Sequence, residues 1–151
     1  PIDSFAAVAK RALSHNEDLD IVLIGGPGEV VLGQQFMAQL SPQLHHRVVN
    51  TIGKTSLPQL VETINQFDAL LTGDTGPFHV AIALKVPTLS LFATAQPVFS
   101  GPYQDLNIHH AILGVQSALK AETLGDGAMK SISVDQVIDT FEDYFDVLKP
   151  L

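Results

Sequence analysis

Three observations predict an α/β fold, a Rossmann-like parallel sheet with helices on both faces. Short β-branched apolar runs alternate with segments of helical period along the chain. The runs are apolar on successive residues, as strands covered on both faces are. Glycine-rich turns follow several runs directly, as in strand-to-helix connections. The 151 residues, with 46% apolar and 16% charged side chains, suit one packed domain and exclude a disordered chain.

Phe5, Val8, Ala9, Ala12 and Leu13 share a helical face, with Asp3 or Ser4 as the expected cap. Ile21-Val22-Leu23-Ile24 reads as a buried strand ending at Gly25-Gly26, and Val48-Val49 with Ile52 as a weaker one. Between them the alternation asks for a helix. Ser56 and Gln59 stand at capping-box spacing ahead of Leu57, Leu60, Val61 and Ile64. Ala69-Leu70-Leu71-Thr72 is the next strand, and Thr88 to Phe92 follows Pro87. Ile108 to Leu113 is a fifth. Ser133 and Gln136 repeat the capping-box spacing before Val134, Val137, Ile138, Phe141, Phe145 and Leu148. The Pro-, Gly- and Ser-rich loop from Ala93 to Asn107 is long for a compact domain, and long loops at strand ends are often functional. The chain opens into a helix where a doubly wound sheet starts with a strand. The expectation is therefore a single domain over 1–151 that lacks its first strand.

Sixteen acids face eight scattered bases, a net charge of −8, which argues against a nucleic-acid partner. The acids Asp135, Asp139, Glu142, Asp143 and Asp146 read as the solvated face of the last helix. No apolar run approaches the roughly 20 residues of a membrane span. With no cysteine there is no disulfide or thiolate chemistry. His45-His46 and His109-His110 are adjacent pairs whose side chains diverge, a poor metal geometry. No Gly-x-Ser-x-Gly elbow marks a serine nucleophile.

Ligands of open α/β sheets bind beyond the carboxyl ends of the strands. Four segments fall there. Gly25-Gly26-Pro27-Gly28-Glu29 has Val31 where a dinucleotide fingerprint needs its third glycine, so these glycines read first as a tight turn. Glu29 there can accept bonds from the vicinal hydroxyls of a ribose. Gly53-Lys54-Thr55-Ser56-Leu57 is not a P-loop, since Val48 stands where that motif needs glycine. Ser56 reads as the helix cap, and Lys54 as either an exposed lysine or a cation at the ligand edge. Asp74-Thr75-Gly76-Pro77-Phe78-His79 opens a helix directly after a strand. Pro77 suits a first turn, Gly76 admits close backbone approach, and Thr75 or Asp74 can cap. The amide groups and positive end of that helix suit a diphosphate. Asp74 would repel phosphate and is assigned to sugar hydroxyls or to holding the turn. His79 is either a packed or exposed residue or a ligand contact. In the fourth segment, Ala93-Thr94-Ala95-Gln96-Pro97, Thr94 can donate to a phosphate or sugar, and Tyr103 lines the cleft or packs the loop.

Taken in order, these segments resemble the C-terminal domain of glycosyltransferase family 9, the lipopolysaccharide heptosyltransferases and their relatives. The likeness runs from about Phe5 to Tyr103. It is strongest in Gly53-Lys54-Thr55-Ser56-Leu57, in Asp74-Thr75-Gly76-Pro77-Phe78-His79 with the small and apolar residues to Leu84, and in Val86-Pro87-Thr88. The resemblance implies half of a GT-B fold that binds a nucleotide-sugar donor such as ADP-heptose. It places Glu29 at the ribose, Lys54, Thr55 and Ser56 near the base, and Asp74, Thr75, Gly76 and His79 at the diphosphate and sugar. It implies inverting transfer to a glycolipid acceptor in lipopolysaccharide or related glycan assembly, with neither metal nor other cofactor. The acceptor site and catalytic base belong to an N-terminal domain absent here, so no catalytic residue is expected in this chain and it is expected to be inactive alone. The implied location is cytoplasmic, peripheral at the inner membrane in the full-length protein. Two departures stand out. Ala93 replaces the usual glycine after the last strand, leaving Thr94 a less certain phosphate contact, and Lys85 replaces the usual glycine before Val-Pro-Thr. The alternatives are a non-catalytic nucleotide-sugar binding module and half of another GT-B enzyme, such as a nucleotide-sugar epimerase.

Overall fold

A computed structural model describes residues 2–73, 75–92, 107–114 and 131–144. Helix α1 (Ile2–His15) leads to strand β1 (Ile21–Leu23), a short 3-10 turn (Pro27–Glu29) and helix α2 (Val30–Gln39). A second 3-10 turn (Pro42–Arg47) enters β2 (Val48–Asn50), followed by α3 (Leu57–Asn65) and β3 (Leu70–Gly73). Then come α4 (Gly76–Ala83), β4 (Thr88–Phe92), β5 (His109–Leu113) and α5 (Val134–Tyr144).

Strand pairing is parallel wherever it occurs, as the alternating pattern predicts. Ile21 lies opposite Val48, Leu70 opposite Thr88, and Thr88 opposite His109. The ladder is split, however: among the described residues β1 pairs only with β2, and β3–β4–β5 form a separate sheet. The edge of β1 away from β2 and the edge of β3 away from β4 carry no strand among the described residues.

Three buried clusters hold the layers together. Ala6, Ala9 and Leu13 of α1 pack with Phe36 and Leu40 of the α2 region and Val48 of β2, with Ile21 and Leu23 at their margin. Val8 and Ala12, elsewhere on α1, pack with Leu89, Leu91, Ile112 and with Val137, Ile138 and Phe141 of α5. One helix therefore spans both sheets. On the opposite face Ile64 of α3 and Ala81 of α4 meet Leu70 and Val86, with Ile24 alongside. Leu70 and Leu71 enter different clusters because successive strand side chains point to opposite faces.

Several boundaries moved. Helix α1 already includes Asp3 and Ser4, so neither is its cap; Asp3 instead accepts a bond from Gln39 Nε2 at 2.8 Å, tying α1 to α2. Ile24 falls beyond the β1–β2 ladder, which stops at Leu23 opposite Asn50. Ile52 is no strand residue: its N–H donates to Asn50 Oδ1 at 3.1 Å, the side-chain-to-backbone turn that asparagine makes readily. The acidic face of α5 is solvent-exposed at Asp135, Asp139 and Asp143, and at its surface Asp135 pairs with Arg11 and Glu142 meets His15 of α1. Phe145, Asp146 and Leu148 lie outside the described residues.

Helix α4 ends in a Schellman motif. Val86 N–H donates to Ala81 O at 2.9 Å and Lys85 N–H to Ile82 O at 3.1 Å. The position between them needs a left-handed residue, and Lys85 occupies it at φ +58°. A side chain there costs on the order of 1 kcal/mol that glycine would not.

Candidate functional site

The sequence-predicted residues fall into two clusters, one beyond β1 and β2 and one beyond β3. In the first, Gly53 N–H donates to Gly25 O at 3.0 Å and locks the two loops together. Gly53 has φ +73°, and a Cβ there would lie 2.8 Å from Val30 Cγ2 and 3.3 Å from Pro27 Cα. Both conformation and crowding therefore demand glycine. Glu29 curls back over its own turn, its Oε2 accepting the Gly26 N–H at 2.8 Å. A Cβ on Gly25 would meet that oxygen at 2.6 Å, so this glycine makes room for the carboxylate. The tight-turn reading of these glycines is thus the structural one, with Glu29 as a constituent of the turn.

Lys54 is exposed and its Nζ donates to Asn50 O at 2.9 Å, at the end of β2. Thr55 is half-buried. Ser56 caps α3: its Oγ accepts the Gln59 N–H at 3.3 Å while Gln59 Oε1 accepts the Ser56 N–H at 2.9 Å. Asn50 was not singled out in the sequence, yet its side chain and carbonyl hold both Ile52 and Lys54. Asparagine at the end of a strand, three residues before a glycine, is the signal that could have found it.

The second cluster opens α4. Thr75 is the N-cap by backbone (φ −138°, ψ 173°), but its side chain caps no N–H. Its Oγ1 lies 3.2 Å from Thr72 Oγ1 instead, because extended backbone turns the hydroxyl toward the strand end. Phe78 N–H is satisfied by Thr75 O at 3.1 Å, and Pro77 has none to offer. Among the described residues, Gly76 N–H has no partner, and a Cβ on Gly76 would meet nothing within 4 Å. The run of unpaired amides at this helix start is thus narrower than the sequence suggests, and the space a side chain at Gly76 would take is open among the described residues. His79 is exposed, its ring 5.1 Å from the ring of the fully buried Phe78, which in turn meets Phe92 edge-on at 5.8 Å. Asp74, Thr94 and Tyr103 lie outside the described residues.

Three of the four paired histidines hold local structure. His45 Nε2 donates to the Met37 and Leu40 carbonyls at the end of α2. His109 Nδ1 lies 2.9 Å from Thr88 Oγ1 in the core, and His110 Nε2 donates to Asn107 O at 3.3 Å. Among the described residues no group of three or more His, Cys, Asp or Glu could hold a metal, and no helix is long and apolar enough to cross a membrane.

Parallel strands with helices, glycine-shaped loops at their carboxyl ends and a Gly-Pro helix start define a Rossmann-like α/β domain, of the kind found in GT-B glycosyltransferases. The chain is a member of glycosyltransferase family 9 (heptosyltransferase), whose family description matches residues 1–124. It is 30% identical over 106 residues to the lipopolysaccharide core heptosyltransferase OpsX of Haemophilus influenzae, covering 70% of this chain and 29% of that relative. Lipopolysaccharide heptosyltransferase 2 of Escherichia coli is 32% identical over 98 residues, covering 65% of this chain and 28% of that one. Among solved structures, E. coli ADP-heptose lipopolysaccharide heptosyltransferase II superposes with a TM-score of 0.79 at 26% identity, over 95% of this chain and 41% of that one. A family 9 glycosyl transferase from Veillonella parvula gives 0.74 at 29% identity. The chain therefore spans less than half the length of these relatives and neighbours.

Proposed function

We propose that this chain is the donor-binding half of an inverting glycosyltransferase that takes an ADP-heptose-type nucleotide sugar for lipopolysaccharide or related glycan assembly. The observation that carries this reading is the start of α4 at the carboxyl end of β3, where the Gly76 amide has no partner among the described residues and the space its missing side chain would take is open. A helix N-terminus concentrates about half a positive charge, which favours a diphosphate. Asp74 and His79 are assigned to the sugar and phosphate side, and Thr94 to a phosphate or sugar hydroxyl. Glu29 Oε2 already holds Gly26, which leaves Oε1 for a ribose hydroxyl. Lys54, with its flexible stem and one carbonyl partner among the described residues, can swing to the nucleotide, with Thr55 and Ser56 beside it.

In the reaction an acceptor hydroxyl attacks the anomeric carbon while the bond to the diphosphate oxygen breaks. The proton leaves to a base on a partner domain. Negative charge grows on the departing phosphate oxygen, where a preorganised amide donor contributes about 3 kcal/mol of barrier lowering. No metal is required in this scheme. The acceptor is a glycolipid reached through the other domain, which places the complete enzyme in the cytoplasm at the inner membrane.

Calorimetric titration of the chain with ADP, UDP and GDP and their sugars tests the reading. ADP and its sugar are expected to bind tightest, and Asp74→Ala and His79→Ala to weaken binding about 10-fold each, as loss of a charge-assisted hydrogen bond does. Equal affinity for all three nucleotides would turn the reading toward a different GT-B enzyme. Unchanged affinity in both variants would refute the site. Transfer of heptose by the chain on its own would contradict its assignment as a donor-binding half.

A further inference from the structure

Every amide of the turn after β2 is satisfied. Thr51 N–H and Oγ1 both donate to Leu23 O, at 3.0 and 2.6 Å. Ile52 N–H goes to Asn50 Oδ1 at 3.1 Å, Gly53 N–H to Gly25 O at 3.0 Å, and Lys54 N–H to Thr51 O at 3.0 Å. Of these acceptors only Asn50 Oδ1 belongs to a side chain. The side chains of the turn are seated by two glycines on other elements. A Cβ on Gly33, buried within α2, would lie 2.8 Å from Ile52 Cδ1, 2.9 Å from Asn50 Nδ2 and 3.1 Å from Asn50 Oδ1. A Cβ on Gly25 would lie 3.3 Å from Ile52 Cγ2. Ile52 therefore fits between the loop after β1 and helix α2, with the Asn50 carboxamide beside it on Gly33. Glycine inside a helix is less stable than alanine, because it gives up more chain freedom on folding. Helix stability thus does not account for Gly33, whereas the room it leaves for Asn50 and Ile52 does. Glu29 is the N-cap of α2, so Gly33 stands about one helical turn beyond it. Asn50 in turn takes the Lys54 ammonium on its carbonyl.

We propose that Gly33, Asn50 and Ile52 are positioning residues for nucleotide recognition: they seat the loop after β2 on α2 and so fix Lys54 relative to Glu29, without touching the ligand themselves. The lock follows from the packing alone, and its consequence for a ligand rests on the donor reading above, which assigns Glu29 and Lys54 to the nucleotide. Asn50 supplies the acceptor that shapes the turn, a side-chain-to-backbone bond that asparagine makes two residues on. Ile52 supplies the apolar wedge, and Gly33 the absence of a side chain that both need. A nucleotide that bridges the two loops then meets groups already at their working separation, and less ordering opposes binding. Loosening the lock leaves every assigned contact residue in place but frees one loop from the other. Affinity therefore falls through substitutions that remove no group assigned to the ligand.

Amide hydrogen exchange followed by NMR, together with calorimetric titration with ADP, tests this on the 151-residue chain. In the ligand-free protein Asn50→Ala and Gly33→Ala should each speed exchange of the Gly53 amide about 10-fold and leave that of Leu91, in the other sheet, unchanged. Because both act on one lock, the double variant should stay near that value, where independent effects would multiply to about 100-fold. Asn50→Asp keeps an acceptor for the Ile52 N–H and should keep Gly53 protected. ADP affinity should fall about 5-fold in Asn50→Ala and in Gly33→Ala. Gly53 exchange equal to the parent in both would overturn the lock. Faster exchange with unchanged ADP affinity would overturn the positioning role and leave a purely structural one. A parent chain that binds no ADP would overturn the donor reading and the positioning role with it, while the exchange rates still decide the lock. Should Asn50→Ala not fold, Gly33→Ala and Asn50→Asp decide by the same amide.

Discussion

The two sheets of this domain are held by different means. In the β3–β4–β5 half every residue of β4 is buried, and Phe78, Phe92 and Leu89 are almost wholly sealed. In the β1–β2 half no residue of β1 is fully buried, and Val31, Val49 and Leu57 stand 61%, 54% and 69% exposed. That half too has a buried cluster on its α1–α2 side, but the loops at the carboxyl ends of its strands are shaped by turn chemistry: Gly53 against Val30, Glu29 over Gly25, and Asn50 holding both Ile52 and Lys54. Hydrophobic burial thus seals the central strand of one sheet, while glycine fits and local hydrogen bonds shape the loop end of the other.

The sharpest way to break this contrast is Phe78→Ala. The ring is 0% exposed and packs edge-on against Phe92. The cavity should cost about 3–5 kcal/mol in urea unfolding. A loss below about 1 kcal/mol would mean that the β3–β5 half is not governed by core packing. A smaller effect is expected from Gly53→Ala. The left-handed backbone alone costs about 1–2 kcal/mol, and the Val30 methyl must move to admit the new Cβ. The same substitution should weaken ADP binding in the titration above, because Gly53 locks the loops that carry Glu29 and Lys54; stability and affinity both equal to the parent would remove turn chemistry as the organiser of that loop end. Smallest, and opposite in sign, is Lys85→Gly. It relieves a side chain at φ +58° and should raise stability by up to about 1 kcal/mol, read as a higher melting temperature. A fall in that temperature would show that Lys85 contributes contacts beyond its backbone.

The local structure around some of the candidate residues was legible in the sequence. The Ser56–Gln59 capping box formed as its spacing required, because both bonds join residues three apart and need no tertiary help. Pro77 took the first turn of α4 for the same local reason. The cap of α1 was misjudged, since Asp3 found a partner on α2, 36 residues away, rather than at its own helix end. The role of Thr75 was half legible: its backbone caps, but its hydroxyl turned to Thr72, a choice set by the direction in which β3 delivers the chain.

What the sequence determined by itself was the kind and order of the elements. Hydrophobic period, caps and turn residues act within a few positions, and those interactions are written in neighbouring letters. Only the tertiary structure decided that the parallel strands divide into two sheets under one shared helix, that Glu29 lies folded over Gly25, and that the candidate residues stand in two groups. Those facts depend on which edges meet across long stretches of chain, and on the space left between them, which residue spacing does not encode.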